Sequence, residues 1–228
     1  MEYKFKYQLH AHTSPPSKCG VMTSRELCRA LYEGGYSGAV LTNHFMGGNT
    51  AIDRSLPWNE FVRVYEKDYL DAKEEAERLS LDIIFGIEEQ VGGGLEILLY
   101  GITPEWLYEH PELSSHRLED YRAAANEIGA LIVQAHPYRE RYYISTPGPL
   151  PLSMIDGIEV FNRANKENEN PLAEALAKEN PHLIRTAGAD AHTAEWATFS
   201  GIATKERITD CKKLVEILKS GDYRLIKE

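Results

Sequence analysis

No stretch of the 228-residue sequence approaches the roughly 18 consecutive apolar residues that a membrane-spanning helix needs. The amino terminus runs directly into alternating apolar and polar residues without an apolar leader segment, so neither membrane insertion nor secretion is expected. Cysteine is scarce: Cys19, Cys28 and Cys211 are odd in number and widely scattered, which argues against a disulfide framework and for a reducing cytoplasm. Positive charge is short as well. The 25 Lys and Arg against 35 Asp and Glu leave a net charge of −10, which counts against the phosphate-backbone affinity of proteins that hold extended nucleic acid. No internal repeat, low-complexity tract or linker interrupts the chain, and 43% hydrophobic with 26% charged residues is the composition of one globular domain over 1–228. Gly92-Gly93-Gly94 is not a phosphate loop, because the Lys-Ser/Thr and the helix that follow such a loop are missing. No Ser/His/Asp or Cys/His nucleophilic arrangement is evident.

What is present is an alternation of strands and helices. Tyr3, Phe5, Tyr7 and Leu9 share one face of a strand with Lys4, Lys6 and Gln8 on the other, the period of a half-buried strand that stops at His10. Thr23 and Glu26 form a capping-box start for a helix that Gly34-Gly35 ends. Strands are expected at Gly38 to Thr42, Asp82 to Ile87, Leu95 to Tyr100, Ala130 to Ala135, Gly157 to Phe161, Leu183 to Ala187 and Tyr223 to Ile226. Helices are expected at Glu60 to Leu79, Ser115 to Ile128, Pro171 to Glu179 and Thr209 to Lys219. Such alternation predicts a single α/β domain with a largely parallel sheet or barrel, in which Gly92 to Gly94 turns a hairpin.

The chemistry-bearing residues gather where these strands stop. His10 and His12, His44, Glu88, His136, and Asp190 with His192 all fall at or just past strand carboxyl ends, the end at which barrel loops converge on one mouth. In extended chain, residues two apart point the same way, so His10 and His12 can share an ion, and Asp190 and His192 have the same spacing. Imidazole with carboxylate suits Zn²⁺, Mn²⁺ or Fe²⁺ and suits Ca²⁺ or Mg²⁺ poorly. A Glu among histidines can bridge two ions, and clustered divalent ions serve phosphoester hydrolysis.

The segments His10-Ala11-His12-Thr13, Thr42-Asn43-His44, Gly86-Ile87-Glu88, Ala135-His136-Pro137 and Gly188-Ala189-Asp190-Ala191-His192 resemble, in order, the five motifs of the polymerase and histidinol phosphatase (PHP) superfamily. The resemblance covers nearly the whole chain. It implies a distorted (β/α)7 barrel with a site for two or three divalent ions at the C-terminal ends of the strands. It also implies that His10, His12, Glu88 and Asp190 hold a first ion, Glu88 and His136 a second, and His44 and His192 a third. Three departures stand out. Asn43 occupies the place of a usual Asp; Cys19, in Lys18-Cys19-Gly20, stands where an acidic third-ion ligand is common and is an expected thiolate ligand; and Thr103 lies near the place of a second-ion His.

Arg139 and Arg163 are expected at the mouth as phosphate partners, and Glu159 as a carboxylate that orients a ligand. Tyr138 to Tyr143 could close a barrel loop or stack on a base or sugar, while His110, His116 and His182 are expected at the surface. The expected function is hydrolysis of a small phosphomonoester by metal-bound hydroxide, with Glu88, Asp190 and His192 as catalytic residues. The alternatives are a phosphodiesterase or nuclease acting on nucleotides or short oligonucleotides, an amidohydrolase-type hydrolase, and a non-catalytic metal-binding regulatory domain. Amidohydrolase barrels also begin with His-x-His, but they place two further histidines after later strands, where this chain offers only His136.

Overall fold

The alternation at the amino terminus becomes strand β1 (Phe5–Ala11), and a computed structural model describes it together with the rest of residues 2–228. Eight more strands follow: β2 (Gly38–Leu41), β3 (Asp82–Gly92), β4 (Leu95–Tyr100), β5 (Leu131–Gln134), β6 (Gly157–Asn162), β7 (Ile184–Gly188), β8 (Ser200–Thr204) and β9 (Tyr223–Lys227). They form one sheet in the order β7-β6-β5-β4-β3-β2-β1-β8-β9. Pairing is parallel from β1 to β3 and from β5 to β7, and antiparallel where β4 inserts as the return strand of a hairpin. The sheet nearly closes on itself: the His12 N–H donates to the Ala191 carbonyl at 2.8 Å, and the Ala191 N–H to the His10 carbonyl at 3.1 Å. Strands β1 to β7 therefore enclose a barrel, and β8 and β9 extend the sheet antiparallel from β1.

The helices are α1 (Ser24–Glu33), α2 (Trp58–Leu79), α3 (Pro104–Tyr108), α4 (Leu118–Ile128), α5 (Glu169–Glu179) and α6 (Cys211–Ser220). Thr23 and Glu26 make the expected reciprocal cap, with the Glu26 N–H on Thr23 Oγ1 at 3.2 Å and the Thr23 N–H on Glu26 Oε2 at 2.7 Å. A helix covers each of the crossovers β1–β2, β2–β3 and β6–β7; β4–β5 carries two, and β3–β4 and β5–β6 have none. The long hairpin and the 135–156 loop thus distort the (β/α) alternation. No helix among the described residues is long and apolar enough to cross a membrane.

Inside the barrel, Tyr7, Leu9, Val40, Ile84, Leu98, Tyr100, Leu131 and Val133 pack with Leu214 and Leu218 of α6. Each such side chain contributes on the order of 1.5–3 kcal/mol by burial, and this apolar plug supports the polar groups above it. Outside, Phe45 sits edge-on to Phe61 at 5.2 Å and to Tyr65 at 5.0 Å. The Tyr65 hydroxyl donates to the Asn43 carbonyl at 2.6 Å, so α2 fixes the end of β2 that carries His44.

Three elements differ from the sequence expectation. Gln8 is fully buried rather than solvent-facing: its Oε1 accepts the Ala189 and His10 N–H groups, and its Nε2 donates to the Ala197 and Ser200 carbonyls. The helix expected from Ser115 starts at Leu118, because Pro111–Ser115 forms a 3-10 turn and His116 takes a left-handed φ of 58°. Strand β8 was not expected, since its small residues carry no alternating apolar pattern. Its Gly201 is required by close approach, for a Cβ there would lie 2.0 Å from the Tyr7 carbonyl oxygen.

Candidate metal centre

A β-bulge aims the first two histidines. Tyr7 lies opposite Gly38 and Gln8 opposite Ala39, but Ala11 lies opposite Leu41, so β1 spends one residue more than its partner. Tyr7 and Leu9 face the barrel interior and Ala11 faces the α1 layer, and the extra residue turns His10 inward beside them. Gly188, at the end of β7, makes room for this: a Cβ there would stand 2.5 Å from the His10 Cβ and 2.4 Å from Glu159 Oε1. His136 and Asp190 follow β5 and β7 with left-handed φ of 29° and 54°. Such conformations cost on the order of 1–3 kcal/mol each and persist where surrounding contacts over-determine them.

Glu88 is the centre of the arrangement. It is only 1% exposed, and four imidazoles meet its two oxygens. Oε1 lies 3.1 Å from His10 Nε2 and 3.2 Å from His136 Nε2, while Oε2 lies 3.3 Å from His12 Nε2 and 2.9 Å from His44 Nδ1. Asp190 Oδ1 lies 3.1 Å from His12 Nε2 and 3.5 Å from His10 Nε2. The ring of His12 stacks on His44 at 4.4 Å and on His192 at 4.7 Å, and His192 Nε2 reaches Cys19 Sγ at 3.1 Å. All eight residues expected to ligate metal, Cys19 included, therefore surround one space. His10, His12 and Glu88 converge closely enough to share an ion, and so do His10, His136 and Asp190, and His12, His44 and His192.

Metal fits this donor set better than hydrogen bonding does. His44 Nδ1 and Glu88 Oε2 are buried and face each other, yet neither has a hydrogen-bond partner, because the approach is misaligned for one. His10 Nε2 and His12 Nε2 also face each other, at 3.0 Å, where at most one shared proton could lie between them. Lone pairs aimed at common points are what a cation needs.

The charges compensate one another. Burial opposes ionisation of His10, but Glu159, Glu88 and Asp190 outweigh it and raise its pKa. Burial with His44 nearby lowers His12 to about 3. Burial would raise Glu88 and Asp190, but His10, His44 and His12 hold Glu88 down, and Arg139 and His10 hold Asp190 down. Burial would also raise the Cys19 thiol, but hydrogen bonds with His192 and His44 bring it to about 6.

Glu96 is the residue that sequence reasoning missed. It lies on β4 in register with Gln90 and points to the same side as Glu88, with Oε1 3.7 Å from His44 Nδ1 and Oε2 3.5 Å from His136 Nε2. His44, Glu88 and Glu96 form a further group able to hold an ion, and burial beside Glu88 raises Glu96 to about 8. The available signal was parity: on an antiparallel return strand, a carboxylate two residues from the inward Leu98 must face the barrel too. Thr103, by contrast, is the N-cap of α3.

Glu159 and Arg139 form a supporting network. Glu159 Oε1 meets His10 Nδ1 at 3.1 Å, and its Oε2 accepts the strained His136 N–H at 3.1 Å and Asn162 Nδ2 at 2.7 Å. Arg139 donates to Asp190 Oδ2 at 2.6 Å, to Asn162 Oδ1 at 2.8 Å and to Asn165 Oδ1 at 3.1 Å. It lines the cavity with its nitrogens engaged in these contacts, whereas Arg163 is exposed and lies over the rings of Trp196 and Phe199 at 5.4 and 5.5 Å. Asn43 accepts from the Thr13 N–H and the Ser17 hydroxyl, and its Nδ2 donates to Asp68 Oδ2 at 3.0 Å. A second carboxylate at position 43 would repel buried Asp68, which accounts locally for the amide. His116 pairs with buried Glu89 at 3.1 Å and His110 with Glu112 at 2.6 Å, both away from the cluster.

No family model and no curated protein matches this sequence. Solved structures do. A two-domain protein from Bacteroides vulgatus, described as containing a predicted PHP-like metal-dependent phosphoesterase, superposes with a TM-score of 0.70 at 15% identity over 98% of this chain. This chain spans 65% of that protein's length. A candidate metal-dependent phosphoesterase from Bifidobacterium adolescentis gives a TM-score of 0.56 at 15% identity, over 94% of this chain and 96% of its own. An amidohydrolase from Chromobacterium violaceum, solved with bound sulfate and no metal, gives 0.54 at 16% identity, over 82% of this chain and 87% of its own. At these identities the likeness concerns the fold, and the fold is the PHP-like one that the five motifs led us to expect.

Proposed function

We propose that this chain is a metal-dependent phosphoesterase that hydrolyses small phosphomonoesters. The observation that supports it most is Glu88, whose two oxygens each face two imidazoles, the arrangement of a carboxylate shared between ions. His10, His12, Glu88 and Asp190 would hold one ion; Glu88 and His136, joined by Glu96, a second; and His44, His192 and Cys19 a third, with Zn²⁺, Mn²⁺ or Fe²⁺ suited to these donors. Bound divalent ions supply an activated water and positive charge for the phosphate oxygens.

The chain's own groups prepare that site. Glu159 takes the Nδ1 proton of His10 and leaves Nε2 turned to the cluster. Arg139 holds Asp190 Oδ2, so that Oδ1 faces His10 and His12. His192, more exposed than the buried histidines, opens on the cavity with Asp190 and completes the proposed catalytic set. The amidohydrolase description of one structural neighbour keeps amide or lactone hydrolysis as the second reading.

Metal removal tests the proposal. Chelator-treated protein is expected to stay folded and lose hydrolysis of an aryl phosphate, with activity returning on addition of Mn²⁺, Zn²⁺ or Fe²⁺ and favouring the monoester over its bis-ester. Full activity in metal-free protein overturns the mechanism, and hydrolysis of lactones or amides but no phosphate ester selects the second reading.

A further inference from the structure

The cavity above the cluster encloses about 520 Å³. Sites for whole small molecules span roughly 300–1,000 Å³, so there is room for a sizeable organic group beside a phosphate. One wall is the 137–148 loop, which leaves β5 and returns to its own start. Its base is clasped by the Gly148 N–H on the Pro137 carbonyl at 2.8 Å and by Gln134 Nε2 on the Gly148 carbonyl at 2.9 Å. Its tip is pinned to the β3–β4 turn by the Ser145 N–H on the Gly93 carbonyl at 2.9 Å. Its middle is anchored by fully buried Glu169, which accepts the Glu140 N–H at 2.8 Å and Arg141 Nη1 at 3.0 Å. A compact surface loop with close ends and internal anchors presents its side chains in fixed positions.

Two of those side chains are aromatic and line the cavity. Tyr142 is fully exposed and Tyr143 is 43% exposed, with their rings 5.5 Å apart and at 89°. An edge-on pair leaves flat faces open, and a face held over a cavity offers a platform to any planar ring that enters. Lys18, on the loop after β1, stands exposed at another part of the same cavity and can meet anionic oxygen.

We infer that the cavity selects phosphoesters whose leaving group carries a planar aromatic ring, received by Tyr142 and Tyr143. The inference rests on the phosphoesterase reading and adds the leaving-group class to it. It assigns the two tyrosines as specificity residues and the metal cluster as the receiver of the phosphate.

The test compares benzyl phosphate with cyclohexylmethyl phosphate, which match in size and leaving-group basicity and differ in aromaticity. The Mn²⁺-loaded full chain is expected to favour benzyl phosphate by about tenfold in kcat/KM. Y142A/Y143A is expected to bring that ratio to about one, and Y142F/Y143F to keep it, since the rings remain. The same pair as phosphonates, titrated calorimetrically onto Mn²⁺-loaded protein, reads the preference without turnover. Adenosine 5′-monophosphate against ribose 5-phosphate then tells a nucleobase from a simple aryl ring by which aromatic ester loses more in Y142A/Y143A. A ratio near one in the wild type, or a tenfold ratio that survives Y142A/Y143A, overturns the inference. If no ester is hydrolysed but the phosphonates still differ, the phosphoesterase reading fails and the aromatic site stands.

Discussion

His10, His12, Glu88 and Asp190 lie at the floor of the cavity almost without exposure, whereas Cys19, His192 and Tyr143 stand at its rim, partly open to solvent. The floor groups sit on or beside strands, and contacts from other strands hold them: Glu159 of β6 holds His10 of β1, and the loop after β5 holds Asp190 through Arg139. The rim groups sit on loops and meet only one another or the ions expected there. Floor changes should therefore alter every ion at once, and rim changes should alter one ion or the choice of substrate. The largest effect tests this directly. Glu88→Gln keeps the shape and removes the charge shared by four imidazoles, so it should lower the rate on an aryl phosphate by about a hundredfold or more and reduce metal content at more than one site. Steady-state kinetics with elemental analysis decide it; wild-type rate and stoichiometry would remove Glu88 from the bridging position.

A smaller effect separates the side chains that touch ions from those that hold them. Glu159→Gln preserves an acceptor for His10 Nδ1 but removes its charge, and also weakens the contact that stabilises the left-handed backbone of His136. Changes to partners of metal-ligating histidines typically lower metal affinity by about 10- to 100-fold, and that range is expected here in competition with a chromophoric chelator. An affinity within twofold of wild type would mean that the strands alone position the floor.

The same division explains what could be seen in the sequence. Floor residues were legible because strand ends are marked by periodicity, and a ligand such as His136 follows directly on the apolar run Leu131 to Val133. Glu96 was not legible as a site residue, because its place depends on how far the hairpin runs. Strand β3 continues past Glu88 to Gly92, and only that length brings Glu96 back opposite Gln90. The β1 bulge was hidden for a related reason: alternation alone puts His10 on the face of Gln8, and it takes the register against β2 to show the extra residue. Arg139 and Arg163 have equivalent-looking positions after strands. Their different fates, beneath Asp190 and over Trp196, depend on loop paths that no period encodes.

The smallest expected effect belongs to the rim and turns on Cys19. Hydrogen bonds with His192 and His44 bring this thiol to about 6, below the usual value near 8.5, despite partial burial. The thiolate is the reactive form, so in metal-free protein alkylation of Cys19 should rise through about pH 6 and level off by neutrality. A bound ion would occupy the sulfur lone pairs and slow that reaction. It would also make Zn²⁺ or Fe²⁺ preferred over Mn²⁺ at the position shared with His44 and His192, because thiolate is the softer donor. Cys19→Ser should then lose the ion of that position while the floor remains filled, with a modest loss of rate. Labelling rates that are equal before and after chelation, together with unchanged metal content in Cys19→Ser, would make the thiol a bystander and leave the floor as a two-ion site.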